Sequence, residues 1–212
     1  MKYLVILLFT GLIGQAQISA DSAKKLIKSY RLGYSSYFDP FIGKAGYGAP
    51  WIISKDGNVI VFGDNTLIKV ASNGKEMWKR TLKPIGDETE CQSVAEDVKG
   101  NLYTFMLVYD QKKYRGGCER VVCYDKTGKL LWDKYLGTFT LLNNPTVSYI
   151  KPDKEGKIYM RGHVAKDKPA EGKDPVYLYW EGWLDVTGKL TQKAGEAIDW
   201  KQDKWQKIFK PE

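Results

Sequence analysis

Short apolar runs alternate along the chain with polar turns that contain glycine, and this pattern predicts β-strands. A polar residue precedes Gly57, Gly100 and Gly156, and β-branched or aromatic residues follow each turn. A polar residue and glycine before such a run are a strong hairpin signal. We therefore predict that each of these turns opens a strand, over residues 59–63, 102–109 and 158–162.

A second glycine turn recurs with its own signature. Residues 73–82 and 127–136 both read x-Gly-Lys-x-apolar-Trp-x-x-x-Leu, and a third copy has Gln192 in the tryptophan position. The glycines of the three copies are 54 and 60 residues apart, and self-similarity at a roughly constant spacing indicates a repeat architecture. The residues that mark this repeat are Gly74, Trp78, Gly128, Trp132 and Gly188.

Together the two turns divide the chain into three units of four strands each, over about residues 48–83, 91–137 and 145–195. The first strand of each unit is short and apolar, and the fourth follows the Gly-Lys turn. The connection between the second and third strands lengthens along the chain, from residues 64–66 to 110–119 and then 163–176. Growth of one loop on a constant strand framework is how repeat proteins vary their function.

The stretch Val-Cys-Tyr-Asp-Lys-Thr-Gly-Lys-Leu-Leu-Trp, residues 122–132, resembles the tryptophan-docking repeat of PQQ-like (quinoprotein-like) β-propellers. In that family the tryptophan packs between adjacent blades and the Thr-Gly turn fixes the fourth strand. The likeness covers residues 51–192, although the Asp-to-Gly spacing is one residue shorter than the common form. It implies an all-β fold of antiparallel four-stranded blades, about three units plus a stray N-terminal strand over residues 25–33, which align with 129–137.

Three units are too few for a normal ring, because propellers usually have 4–8 blades. The chain is then a short or partial member of the family, or its open ends pair with another copy as a homo-oligomer that completes the ring. A plain stack of antiparallel sheets is the alternative. Residues 197–210 read either as a helix that covers an exposed blade edge or as a last strand.

The first 16 residues have the form of a secretory signal peptide, with a basic start, an apolar run over residues 3–13 and small residues before a cut after Ala16. Residues 17–212 would be one repeat domain, exported to the periplasm or the outside of the cell. No later run approaches the ~20 apolar residues of a membrane span.

The net charge of +8 comes with lysines scattered through turns and strand ends, and no block of five or more like charges occurs. Scattered lysines are typical of a solvated surface, so we expect no nucleic-acid binding.

The one histidine, His163, is placed at the start of a long surface loop, and no cysteine or histidine spacing indicates a metal site. Quinoprotein dehydrogenases carry a calcium-bound quinone and an adjacent cysteine pair, which this chain lacks, so we expect no cofactor and favour a non-catalytic role.

Three cysteines in an exported chain favour one bridge and one free thiol. Cys118 and Cys123 lie five residues apart on one strand and so face opposite sides. We predict a Cys91–Cys118 disulfide with Cys123 free and buried, the alternative being three reduced cysteines.

Two connections between units carry candidate binding residues. An acidic cluster of Asp87, Glu88 and Glu90 reads as a solvated turn rather than a metal site. An aromatic connection suits a binding surface or inter-blade packing, and its residues are Tyr34, Tyr37, Phe38, Phe41 and Tyr47.

We expect an exported, non-catalytic propeller-type binding or scaffold module of the cell envelope, whose partner is a protein, peptide or glycan. The alternative is a secreted carbohydrate-binding or carbohydrate-active protein.

Overall fold

The computed structural model describes residues 18–19, 21–23, 25, 51–63, 65–83, 88–109, 117–137, 145–167, 173 and 175–198. Within these ranges lie twelve strands and one helical segment, at residues 21–23 and 25. No helix among the described residues has the length and apolar character needed to cross a membrane.

The strands form three four-stranded antiparallel sheets, each a simple meander. The first sheet holds β1 (Trp51–Ile53), β2 (Val59–Gly63), β3 (Thr66–Val70) and β4 (Glu76–Thr81). The second holds β5 (Glu88–Glu96), β6 (Leu102–Tyr109), β7 (Gly117–Tyr124) and β8 (Leu130–Tyr135). The third holds β9 (Thr146–Pro152), β10 (Ile158–Ala165), β11 (Tyr177–Leu184) and β12 (Leu190–Ala197). The all-β prediction of four-stranded antiparallel units is thus confirmed.

Two hairpins in each sheet use the same three-residue loop. In the first, the Ser54 N–H donates to the Asn58 carbonyl and the Gly57 N–H donates to the Ser54 carbonyl. Glycine is left-handed in all six loops, with φ between 74° and 89°, as a type I turn followed by a left-handed residue requires. Four loops begin with an aspartate whose carboxylate accepts the N–H groups two and four residues on, namely Asp97, Asp125, Asp153 and Asp185.

The sheets pack face to face around two apolar layers. Between the first and second sheets lie Ile60, Phe62, Leu67, Leu102, Met106 and Val122, among others. Between the second and third lie Tyr103, Phe105, Val121, Ile158, Met160 and Trp180. The other face of the first sheet is covered by Ile18 and Ala23, which contact Val59 and Val61.

The repeat tryptophans lie where one sheet meets the next. The Trp78 ring lies against the loop of Gly128 in the second sheet. Trp132 donates its indole N–H to the Val186 carbonyl in the third sheet, at 2.8 Å. Both rings are half-buried rather than fully buried.

Some strand bounds differ from the sequence-based expectation. Lys25, where the stray N-terminal strand was expected to begin, is helical. Glu88 and Glu90 belong to β5 rather than to a turn, and His163 lies inside β10 rather than in a loop. The signal segment, residues 26–50, Asp87 and the tail beyond Ile198 lie outside the described residues.

The predicted Cys91–Cys118 disulfide is wrong for this fold, in which Cys118 is a free, buried thiol. Cys91 pairs with Met106 and Cys118 pairs with Val108, so β6 lies between the two cysteine-bearing strands. Two strand spacings amount to about 10 Å, whereas a disulfide needs Cα atoms within about 7 Å. Cys123 is free and buried, in β7.

Candidate functional site

The outer face of the third sheet, here called the terminal face, carries aromatic and charged side chains instead of an apolar layer. Alternate residues of a strand point to opposite faces of a sheet. In β10, Ile158, Met160 and Val164 therefore face the second sheet, while Tyr159, Arg161 and His163 face away. The terminal face comprises Tyr149, Tyr159, Arg161, His163, Tyr177, Tyr179, Glu181, Trp183 and Lys193.

A displaced β-bulge makes this face different from those of the other sheets. In β4 and β8 the register shifts directly after the glycine loop, and the bulge turns Trp78 and Trp132 towards the next sheet. In β12 the shift occurs only opposite Leu178 and Trp180. Gln192 consequently points inward, where its side-chain oxygen accepts the Trp180 indole N–H at 2.9 Å. In β12, therefore, no tryptophan takes the place that Trp78 has in β4 and Trp132 has in β8.

Aromatic rings run across the terminal face in mutual contact. The Tyr149 and Tyr159 centroids are 6.4 Å apart, and those of Tyr159 and Trp183 are 5.4 Å apart. The Arg161 guanidinium lies 4.7 Å from the Tyr149 centroid and 5.9 Å from that of Tyr159. The Lys193 ammonium lies 5.6 Å from the Trp183 ring. Such cation–π contacts hold both cations close to the rings.

Glu181 connects the aromatic and charged groups. Its carboxylate accepts a hydrogen bond of 2.6 Å from the Tyr159 hydroxyl and forms an ion pair of 2.8 Å with Lys193. Partial burial raises the pKa of Glu181, but hydrogen bonds from Lys193 and Tyr159 and the charge of Arg161 outweigh it, so its pKa is lowered. Glu181 is therefore ionised at neutral pH, as an acceptor between two cations.

A cleft of about 290 Å³ opens beside Glu181. Arg161, Tyr179 and Lys193 form its polar walls. Gly195 also lines it, and a Cβ there would stand 3.5 Å from the Tyr179 Cβ, so a larger residue would narrow the space. The volume is at the lower end of the range for small-molecule sites.

The described residues include no group of three or more histidine, cysteine or acidic side chains placed to hold a metal ion. Burial lowers the pKa of His163, which keeps the imidazole neutral at pH 7. Burial also raises the pKa of the Cys118 thiol to about 11 and that of Cys123 to about 12, so neither is an activated nucleophile.

The structure describes the repeat residues predicted from the sequence but not the aromatic candidates. Gly74, Gly128 and Gly188 are left-handed loop residues, and the two tryptophans contact neighbouring sheets. The aromatic candidates between residues 34 and 47 lie outside the described residues and stay a prediction. Sequence reasoning missed the terminal face, although Tyr177, Tyr179, Glu181 and Trp183 alternate with the period of a strand.

No protein-family model matches the chain, and no curated protein matches it. Among solved structures, the chain is similar to a protein of unknown function from Bacteroides caccae, with 10% sequence identity and a TM-score of 0.36. The match covers 75% of this chain and 63% of the Bacteroides caccae protein, so the chain spans less than two thirds of the length of that protein.

Proposed function

We propose that this protein is an exported, non-catalytic binding module of the propeller type in the cell envelope, and that the terminal face is its binding surface. The observation that carries the proposal is the composition of this face, with aromatic and charged side chains where the other sheets place an apolar layer. A face with contacting rings, cations and a cleft offers the groups that recognise a ligand.

The repeated loops and docked tryptophans support the propeller type. Each of the three sheets has the four-stranded meander of a blade, and the same residue type meets the same loop at both sheet junctions. Three such sheets would form an open stack or part of a larger ring.

Binding of the purified mature protein to peptide and glycan arrays tests this proposal. We expect at least one array to give specific binding that Trp183→Ala reduces at least tenfold, because the Trp183 ring contacts both Tyr159 and Lys193. Lys99→Gln is the control, since Lys99 is exposed in a loop of the second sheet. Binding that Trp183→Ala leaves unchanged, or turnover that depends on a metal or a quinone, would contradict the proposal.

A secreted carbohydrate-binding protein is the second candidate. The row of tyrosine and tryptophan rings beside a cleft that Arg161, Glu181 and Lys193 line favours it, because aromatic rings supply rigid contact area with a polar rim. The glycan array separates the candidates, since a module that binds only proteins gives no signal there.

A further inference from the structure

The charges around the cleft favour a ligand that carries a negative group. Arg161 and Lys193 border the cleft, and Glu181 is the one carboxylate among the residues described as lining it. The Lys193 side chain is 66% exposed, whereas that of Glu181 is 30% exposed, so the cation is the more accessible partner of the pair. Lys151 adds a further exposed positive charge on β9, where it pairs with Tyr159. Burial and the charge of Glu196 raise the pKa of Tyr179, so a second carboxylate lies near the cleft, and the three cations outnumber the two acidic groups.

The Glu181 carboxylate, which lies between Arg161 and Lys193, indicates which class of anionic ligand the cleft would bind. An ionised carboxylate has acceptors only, so it favours ligands that bring O–H or N–H donors. An acidic peptide side chain brings negative charge but no hydroxyl donors for the Glu181 carboxylate. A sugar acid brings one carboxylate and several hydroxyl groups on a single small ring, and its C–H faces can pack against an aromatic ring such as Tyr179.

We propose that the cleft binds an acidic sugar residue, with its carboxylate at Arg161 and Lys193, its hydroxyl groups at Glu181, and its ring against Tyr179. This inference rests on the proposed function, because it assigns a ligand class to the terminal face. Arg161 is suited to the role, since the Tyr149 and Tyr159 rings hold a guanidinium that can meet a carboxylate with two parallel hydrogen bonds.

Calorimetric titration with three matched probes tests the inference. The probes are a trimer of galacturonic acid, the same trimer with its carboxyls methyl-esterified, and a trimer of galactose. We expect the acid trimer to bind at least tenfold more tightly than the ester or the neutral trimer, because only the free carboxylate forms charge-assisted hydrogen bonds.

Two lysine variants separate the cleft from general attraction to a basic protein. Lys193→Gln is expected to weaken binding of the acid trimer at least fivefold, whereas Lys99→Gln removes the same charge from the second sheet and leaves it unchanged. Both positions are exposed, so both variants are expected to fold. Equal losses in the two variants would overturn the inference, because they would mean that net charge alone attracts the trimer.

Different results would overturn the acidic-sugar inference and the proposed binding function. If the three probes bind equally and Trp183→Ala abolishes all of them, the acidic-sugar inference is overturned while the binding module stands. The same holds if no trimer binds but a peptide ligand is lost in Trp183→Ala. If Trp183→Ala changes no binding of any kind, the proposed function itself fails.

Discussion

At the scale of a single residue, the left-handed glycines Gly128 and Gly188 each lie against a side chain of the preceding sheet. Gly128 has φ of +80°, and a Cβ added there would stand 2.9 Å from the Trp78 ring. Arg80 of the first sheet donates its Nε–H to the Gly128 carbonyl at 2.6 Å. Glycine is thus required at position 128 both by the left-handed backbone of the turn and by the close approach of the Trp78 ring.

Substitution of Gly128 by alanine should therefore lower the free energy of unfolding by more than the strain of a left-handed alanine in the turn. We expect Gly128→Ala to lower the free energy of unfolding by about 2–4 kcal/mol, from left-handed strain and overpacking together. Gly100→Ala is the matched control, because its φ is +85° but its nearest neighbour, the Lys126 Cβ, is at 3.5 Å. The control should cost only about 1 kcal/mol. Urea unfolding measures both.

A double-mutant cycle identifies the overpacking contribution. In a Trp78→Ala background, the ring that an added Cβ would meet is absent, so Gly128→Ala should cost about as much as Gly100→Ala. An unchanged cost in that background would show that the Trp78 ring does not rest on this loop.

The buried Lys69 gives a second prediction at this scale, concerning pH. Its ammonium is paired with Asp56, and its side chain is 5% exposed. Partial burial raises the pKa of Asp56, but hydrogen bonds from Lys69 and Asn58 outweigh it, so the folded-state pKa lies below 3.8. The stability from this lowered pKa is present above the unfolded pKa and is lost as pH falls through the folded one.

We therefore expect Asp56→Asn to lower the free energy of unfolding by about 1–3 kcal/mol at pH 7, because it leaves a buried cation without its counter-charge. The deficit relative to the wild type should shrink as pH falls below about 3.8. Urea melts across that range measure it. Glu155→Gln breaks the exposed pair with Lys157 and should have little effect at any pH; a comparable effect would count against the special role of Asp56.

At the scale of elements, the sequence predicts strands better than their pairing. The bounds of β2 and β6 follow from apolar runs between glycine turns and agree with the structure. The longer β5 and β10 could not be predicted, because their added residues are held by neighbouring strands rather than by their own pattern.

The terminal face was missed for a related reason. Tyr159, Arg161, Trp183 and Lys193 meet only after the register of three strands is known, and one displaced bulge in β12 decides which residues of that strand share the face. A register shift of one residue moves every side chain to the opposite face, and spacing along the chain does not locate such a shift.

The separation of β5 from β7 gives a testable outcome for the cysteines. Peptide mapping without reduction should yield no Cys91–Cys118 peptide, since β6 lies between the two strands. In the native protein, alkylation of Cys118 and Cys123 at pH 8 should be slow, because both thiols are buried and burial raises their pKa to about 11 and about 12. In denaturant both should react fully. Rapid native labelling of either would contradict this strand order.

At the scale of the whole molecule, two adjacent residues of β7 join the three sheets. Arg120 forms two hydrogen bonds with the Asp133 carboxylate, at 2.9 and 2.6 Å, and donates to the Lys83 carbonyl beyond the first sheet. Glu119 points to the opposite face, where its carboxylate accepts the Val147 N–H of the third sheet at 3.1 Å. Both side chains are almost completely buried, so each sheet depends on the second for polar groups as well as for its core.

This arrangement predicts that the three sheets unfold as one cooperative unit. Glu119→Ala leaves the buried Val147 N–H without that acceptor, and Arg120→Ala leaves the Asp133 carboxylate without its counter-charge, so each should lower the free energy of unfolding by about 3 kcal/mol. The urea dependence of that free energy should stay unchanged, because the same surface is exposed on unfolding. Glu119→Gln keeps an acceptor oxygen and is the milder control.

Hydrogen exchange gives the decisive measurement, because it reports each sheet separately. In Glu119→Ala the amides of β2 in the first sheet should lose as much protection as those of β10 and β11 in the third, since one global opening exposes them all. Loss of protection confined to the third sheet would mean that it opens alone. The shared core of Tyr103, Phe105, Ile158 and Met160 argues against such an opening, because separation of the third sheet would expose the apolar faces of both sheets to water.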